Sequence, residues 1–443
     1  MPEVSTAATP RIPWHEFHLD NGLRLIVSPD DTAPIAATSL WYQVGSRDEL
    51  AGQHGFAHLF EHLMFEGTAH TAAGEHFAAL HAVGANNVNA TTDFERTNYF
   101  QTVPVEHLDL ALWLEAARMD ALALNQDRLD TQRAVVANER GQRNDSQPYG
   151  DWMEQLLLLA FPDGHPYQHT TIGSMEQLTA AQLSDVAHFH DTYYAPNNAV
   201  LTIVGDVDPE QARDQVDKYF GSVPARPAPP TTPSGALPAH FSDDTGPVGR
   251  VELTRDVPDP RFYLAYRIPP AGSREHEVLS VLGYVLGAGR GSRLHRALVG
   301  TTSPGPASGA GVSPWELTGS SPSLFVGTAT ARNGKAIDEI ERSYRDVLAG
   351  VLRDGVTAEE LEVAQAQIGS RWVNQLVPMA GRAELFNSYA TKFGDPEKVN
   401  YQLSRLLSVS GDEIVAVARE YLQPEHCRVL TYRSQSKAEG KAA

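Results

Sequence analysis

The chain reads as an α+β protein of two homologous domains, each a mostly antiparallel sheet packed with helices. Three observations predict this. Strand-like and helix-like segments are intermixed without a repeating βαβ rhythm, which argues against a parallel sheet. A proline-rich stretch, Val223-Pro224-Ala225-Arg226-Pro227-Ala228-Pro229-Pro230-Thr231-Thr232-Pro233, lies near the middle of the 443 residues and reads as an extended connector. The halves on either side share a weak internal repeat, offset by about 227 residues. Gly45-Ser46-Arg47-Asp48 returns as Gly272-Ser273-Arg274-Glu275, and Val136-Ala137 as Val363-Ala364. The word from Tyr193 to Thr202 returns as Tyr421-Leu422-Gln423-Pro424 leading into Val429-Leu430-Thr431. The expected domains are therefore 1–222 and 246–443, joined by a linker over 223–245.

The elements follow in order. Phe17 to Leu19 and Leu23 to Val27 flank Asp20-Asn21-Gly22, whose residue types suit a hairpin turn. Ile35 to Tyr42 reads as the next strand. Phe56, Leu59, Leu63 and Phe65 then recur at helical spacing, with Gly55 before them and Gly67 after them as a stop. A helix near Glu75 to Val83, strands at Val88 to Thr92 and Thr97 to Thr102, and helices around Leu108 to Met119, Asp130 to Arg143 and Met153 to Ala160 complete the first half. Within Leu129 to Arg140 the pattern predicts a helix capped by Asp130, with Ala134, Val135 and Ala137 facing inward.

Composition narrows the function. A chain of this length buries a sizeable core. Its formal net charge of -20 argues against nucleic acid and anionic membranes as partners. One cysteine, Cys427, rules out an intrachain disulfide and a multi-thiolate metal site, and is expected in a buried strand. The first thirty residues contain no signal-peptide core and no later stretch approaches the length of a membrane span, so a cytoplasmic address is the default unless a leader has been removed.

The chemistry is concentrated in His58-Leu59-Phe60-Glu61-His62. On a helix, residues four apart stack one turn above each other, so His58 and His62 share a face and Glu61 lies between them in angle. Two imidazoles and a carboxylate so arranged can hold a metal beside a base. The order is the reverse of the commoner zinc helix and matches the inverted zinc-peptidase signature. A catalytic zinc needs a third protein ligand, which has to come from elsewhere. Glu139 is one candidate carboxylate, though composition does not single it out.

Several words in order resemble the pitrilysin family, and its mitochondrial-processing-peptidase branch in particular. They are Gly55 to Thr68, Val88-Asn89-Ala90-Thr91-Thr92, Thr97-Asn98-Tyr99, Arg133-Ala134-Val135-Val136-Ala137-Asn138-Glu139, Tyr194-Ala195-Pro196-Asn197-Asn198 and Gly205-Asp206-Val207. The resemblance implies a zinc-dependent endopeptidase with one Zn2+ per chain, ligated by His58, His62 and Glu139, with Glu61 as general base. It also implies that Asn89 and Ala90 lie on an edge strand that pairs with an extended peptide, and that Phe65 lines the pocket for the side chain after the scissile bond. Family members of this length form half of a clamshell. A non-catalytic assembly or recognition subunit is the alternative implied by some relatives, which generally lose the metal residues. A hydrolase of non-peptide substrates is a third.

Three departures matter. Gln132 stands where the family often has a second glutamate, seven residues before Glu139, and an amide supplies no charge. The repeat maps His58, His62 and Glu139 onto Val285, Gly289 and Ala366, so the second half cannot build the metal site. It carries instead a glycine-rich word, Leu286 to Leu294, which resembles that of the family's second domain and lacks a phosphate-loop ending. Finally, where active members place an arginine and, seven residues later, a tyrosine, this chain has Val299 and Pro306. The expectation is a heterodimer in which a homologous partner chain supplies that pair, with Arg293 or Arg296 as internal substitutes and a homodimer as the fallback.

Overall fold

The structure, a computed structural model, describes residues 11–229, 249–315, 317, 322–332 and 334–435. In chain order the first half contains β1 (His15–His18), β2 (Arg24–Pro29), β3 (Ile35–Tyr42), α1 (Phe56–Leu63), α2 (Glu75–Ala82), β4 (Asn86–Thr92), β5 (Thr97–Pro104), α3 (Leu108–Asp120), α4 (Gln126–Arg140), α5 (Trp152–Ala160), α6 (Met175–Ala180), α7 (Leu183–Tyr193), β6 (Ala199–Gly205) and α8 (Pro209–Phe220). The second contains β7 (Arg250–Arg255), β8 (Arg261–Ile268), α9 (Arg274–Gly287), β9 (Ala307–Trp315), β10 (Ser323–Ala331), α10 (Ile337–Asp354), α11 (Ala358–Leu376), α12 (Met379–Phe393), α13 (Lys398–Leu407), α14 (Gly411–Tyr421) and β11 (Arg428–Ser434). Of the expected linker, residues 230–245 lie outside the described residues. Among the described residues no helix is long and apolar enough to cross a membrane. Cys427 is buried and immediately precedes β11.

Two compact units form. The first comprises Met1–Ala137, Thr171–Thr232 and Trp372–Leu403, and the second Asn138–Thr170, Pro233–Arg371 and Ser404–Ala443. In the first, six strands run in the order β1-β2-β6-β3-β5-β4, all neighbours antiparallel except β2 and β6. Successive strand side chains point to opposite faces, and both faces are covered. Leu25, Val27, Leu40, Leu201 and Ile203 meet Phe56, Leu59, Phe60 and Leu63 of α1, with α3, α7 and α8 completing that core. Ile26, Ala37, Val200 and Val204 point the other way, onto Ala383, Phe386 and Ala390 of α12.

The second unit repeats this plan. Its sheet order is β7-β11-β8-β10-β9, and its one parallel pair, β7 with β11, answers to β2 with β6. On this sheet lies α5, where Trp152 stacks on Tyr263 at 4.5 Å and Tyr432 donates to Asp151 Oδ1 at 2.6 Å. Helix α12 begins at Met379, 227 residues after the start of α5 at Trp152, so the two hold the same place in the repeat. Each half has therefore placed this helix on the sheet built from the other half's strands, and the compact units cross the midpoint of the chain.

Polar anchors specify that docking. Asn387, fully buried, donates to the Ser39 carbonyl at 2.8 Å and accepts from Thr202 Oγ1 at 2.6 Å, tying α12 to two central strands. Glu384 accepts from Ser39 Oγ, Trp41 Nε1 and Asn98 Nδ2 at 2.7, 3.1 and 2.9 Å. Replacing Asn387 by alanine leaves a buried carbonyl and hydroxyl without their partner. The expected cost is about 2 kcal/mol, measured as a lowered midpoint in urea denaturation.

Candidate metal centre

Helix α1 is only eight residues long and starts without a side-chain cap of its own, because Gly55 stands at its N-cap with φ +107°. That conformation favours glycine. The vacant capping role is taken from a distance: Glu49 Oε2 accepts the Gly55 N–H at 2.7 Å and Oε1 the Ala57 N–H at 2.9 Å. Burial pushes the Glu49 carboxyl well above the usual carboxylate range, against the smaller downward pull of these two bonds. Tyr99 Oη donates to the Phe60 carbonyl at 3.2 Å and braces the middle of the helix. His58 is buried, while Glu61 and His62 are half-buried, and the two imidazoles meet edge to face with centroids 4.9 Å apart. Burial raises the phenols of Tyr99 and Tyr194, and the negative charge of Glu61 raises them further.

Helix α4 brings the third donor. Asn125 caps it, accepting the Arg128 N–H at 3.0 Å, whereas the expected cap, Asp130, is exposed and pairs with Gln126 and Arg133. Its inner face also differs from expectation. Ala134, Val135 and Ala137 are exposed, and the buried stripe is Leu129, Gln132 and Val136. Glu139 is the next position on that stripe at helical spacing, which carries it inward. One donor atom from each of His58, His62 and Glu139 lies within 4.8 Å of the others, and among the described residues no second cluster of this kind forms. Two imidazole nitrogens and a carboxylate oxygen fit a divalent zinc ion with a position left open. Arg143, on a π-turn over Gly141–Asp145, pairs with the Glu139 carboxylate. Gln132 donates to Glu66 Oε1 at 2.5 Å.

The two family models that match cover 25–174, described as insulinase (peptidase family M16), and 180–368, described as the peptidase M16 inactive domain. An uncharacterized zinc protease of Mycobacterium bovis is 30% identical over 408 residues, 91% of this chain and 90% of its own length. This chain belongs to peptidase family M16. Other M16 relatives include the zinc protease PqqE of Helicobacter pylori, 29% identical over 425 residues, 95% of this chain and 93% of that protein. The crystal structure of a protease from Helicobacter pylori superposes with a TM-score of 0.88 at 27% identity, covering 95% of this chain and all, 100%, of that one. A probable mitochondrial-processing peptidase beta subunit of Arabidopsis thaliana is 26% identical over 270 residues, 61% of this chain and 50% of its own.

The remaining positions in this M16 chain fall as follows. Strand β4 is an edge of its sheet, bonded to β5 on one side with Asn89 opposite Phe100 and Ala90 opposite Tyr99. Asn89 is exposed and Ala90 buried. Phe65 is half-buried, stacked on Phe77 at 4.5 Å, with the Arg118 guanidinium 5.0 Å from its ring. In the second unit Val299 closes a π-turn over His295–Val299 and Pro306 directly precedes β9. Arg293 and Arg296 both bind Glu360, at 2.6 and 3.0 Å, so each guanidinium already serves a carboxylate there. Sequence reasoning missed the parts played by Glu49, which lies in no periodic segment, and by Arg143, which ends the helix expected from Asp130 and carries no signal that it pairs with Glu139.

Behind α1 the imidazole of His190 stacks on Tyr194 and Phe60. Burial and the nearby Arg226 charge hold it down at about 4. In the unfolded chain it titrates near 6.5. The unfolded state therefore binds more protons between those values, and stability falls as pH drops from about 6.5 to 4, by up to about 1.4 kcal/mol per pH unit for one such histidine. Melting temperature measured across this window should decline, and His190→Gln should flatten the decline.

Proposed function

We propose that this chain is a zinc-dependent endopeptidase acting on extended peptides or unfolded segments. The observation that carries the reading is the convergence of His58, His62 and Glu139 within 4.8 Å, with Glu61 on the same short helix. The alternative of a non-catalytic subunit has no comparable support, because all four residues are present.

The three donors would hold the metal. Zinc, when bound, supplies Lewis acidity that polarises a carbonyl and makes a water acidic near neutral pH. Glu61 takes the proton of the attacking water and delivers it to the leaving amine, so one carboxylate serves as base and then as acid. The free edge of β4 at Asn89 and Ala90 offers main-chain donors and acceptors to an extended substrate, holding it with little regard to side chains. Phe65 shapes the pocket that receives the residue after the scissile bond.

The oxyanion needs donors that this chain does not offer at Val299 and Pro306. With Arg293 and Arg296 committed to Glu360, the reading is that a homologous partner subunit supplies an arginine and a tyrosine, making the working enzyme a heterodimer.

Glu61→Gln should leave zinc content at one per chain while lowering peptide turnover by about 10² to 10⁴; loss of zinc from that variant would make Glu61 a ligand instead. The zinc-loaded chain alone should cleave a quenched peptide library about 10² to 10³ more slowly than the complex co-purified from its own cells, the typical weight of oxyanion donors. A full rate from the single chain would remove the partner from the mechanism.

A further inference from the structure

We infer that Glu49 is a positioning residue for the metal centre: its carboxylate fixes the register of α1 and so the placement of His58, Glu61 and His62. This rests on the zinc reading above.

A helix of two turns is marginal by itself, and the N–H groups of its first turn have no partner within the helix. Here Gly55, at the N-cap, brings no side chain. Glu49 takes two N–H groups, one on each oxygen, from Gly55 at 2.7 Å and Ala57 at 2.9 Å. Both oxygens are engaged, so the carboxylate meets the helix start at two points rather than one. Ala57 is bonded directly to His58, and Glu61 and His62 follow within the next turn. A slide or rotation of the first turn would displace all three, and such sites tolerate only about 0.5 Å of error.

The clamp is itself held from three sides. Ser46 N donates to the Asp93 carbonyl at 3.2 Å and Arg47 N to that of Phe94 at 2.9 Å. Arg47 pairs with Glu95, and Tyr193 Oη donates to the Asp48 carbonyl at 3.1 Å. Asp48 Oδ2 closes the turn by accepting the Gly45 N–H at 2.9 Å. At Gly45 a Cβ would come within 2.3 Å of the Asp93 carbonyl, so the segment approaches that loop as closely as backbone allows. Glu49 is thus delivered by a pinned 3-10 turn, Ser46–Asp48, which it directly follows.

The test is zinc affinity of the full chain, measured by competition with a chromophoric chelator well below the melting temperature. Glu49→Gln keeps the size but turns an amide N–H toward a backbone N–H, and should weaken zinc binding by about 10- to 100-fold, the usual weight of residues that orient metal ligands. Tyr193→Phe, which releases the segment without touching α1, should weaken it by about two- to ten-fold and serves if the first variant does not fold. Unchanged affinity in a folded variant whose melting temperature alone is lowered would assign Glu49 a merely structural role and overturn the inference. If the parent chain itself binds no zinc, the metal reading fails and takes this inference with it.

Discussion

Everything in the first unit depends on holding one short helix still. Two imidazoles and a base on α1 can act together only if its eight residues keep one register, and eight residues have too little hydrogen bonding to do so unaided. The surroundings provide the rest. Phe56, Leu59, Phe60 and Leu63 anchor one face in the core of the sheet, which leaves His58, Glu61 and His62 to the other side. Glu49 fixes the start and Tyr99 the middle. A positive-φ glycine meets the same need from the neighbouring loop: at Gly173 a Cβ would lie 2.3 Å from the Gly55 nitrogen, so the chain passes as close to the helix start as glycine permits.

The duplicated plan explains how the chain can concentrate its chemistry in one place. Five strands keep the same order in both sheets, the first adding β1 beside β2, and both halves contribute an equivalent helix to the other's sheet. Such an exchange makes each sheet's second face depend on residues far away in sequence, through contacts such as Asn387 to Ser39 and Thr202. With Val285, Gly289 and Ala366 at the positions equivalent to His58, His62 and Glu139, the second copy cannot assemble the same donor set. Its glycine-rich segment and its Arg293–Arg296–Glu360 cluster show it answering to other demands.

Much of this was legible in the sequence, and the failures have physical causes. Strand β3 and helix α1 were legible because apolar residues mark their buried side, and on α1 the histidines keep to a different face. Helix α4 was misread because its buried side also carries the polar residues Gln132 and Glu139. Its inward stripe is Leu129, Gln132, Val136 and Glu139, half of it polar because Gln132 reaches Glu66 and Glu139 lies beside His58 and His62, while the small apolar Ala134, Val135 and Ala137 lie outside. Counting apolar residues selects the wrong face of such a helix. The exchange of α5 and α12 was equally out of reach, since an amphipathic face states that a helix is covered but not by which sheet. Glu49 gave no signal because a distant cap leaves no spacing pattern.

The same logic bears on Gln132. A carboxylate there would stand two turns from Glu139 on the same face, adding charge beside a site that already holds two carboxylates, Glu61 and Glu139. In this chain the amide instead donates to Glu66, four residues beyond His62. The carboxylate in that neighbourhood thus stands on the turn that follows α1, and α4 supplies the donor. An amide donor suits a neighbouring carboxylate where a second carboxylate would repel it, by an amount that grows as water is excluded. The amide at 132 is therefore intelligible only together with its partner at 66.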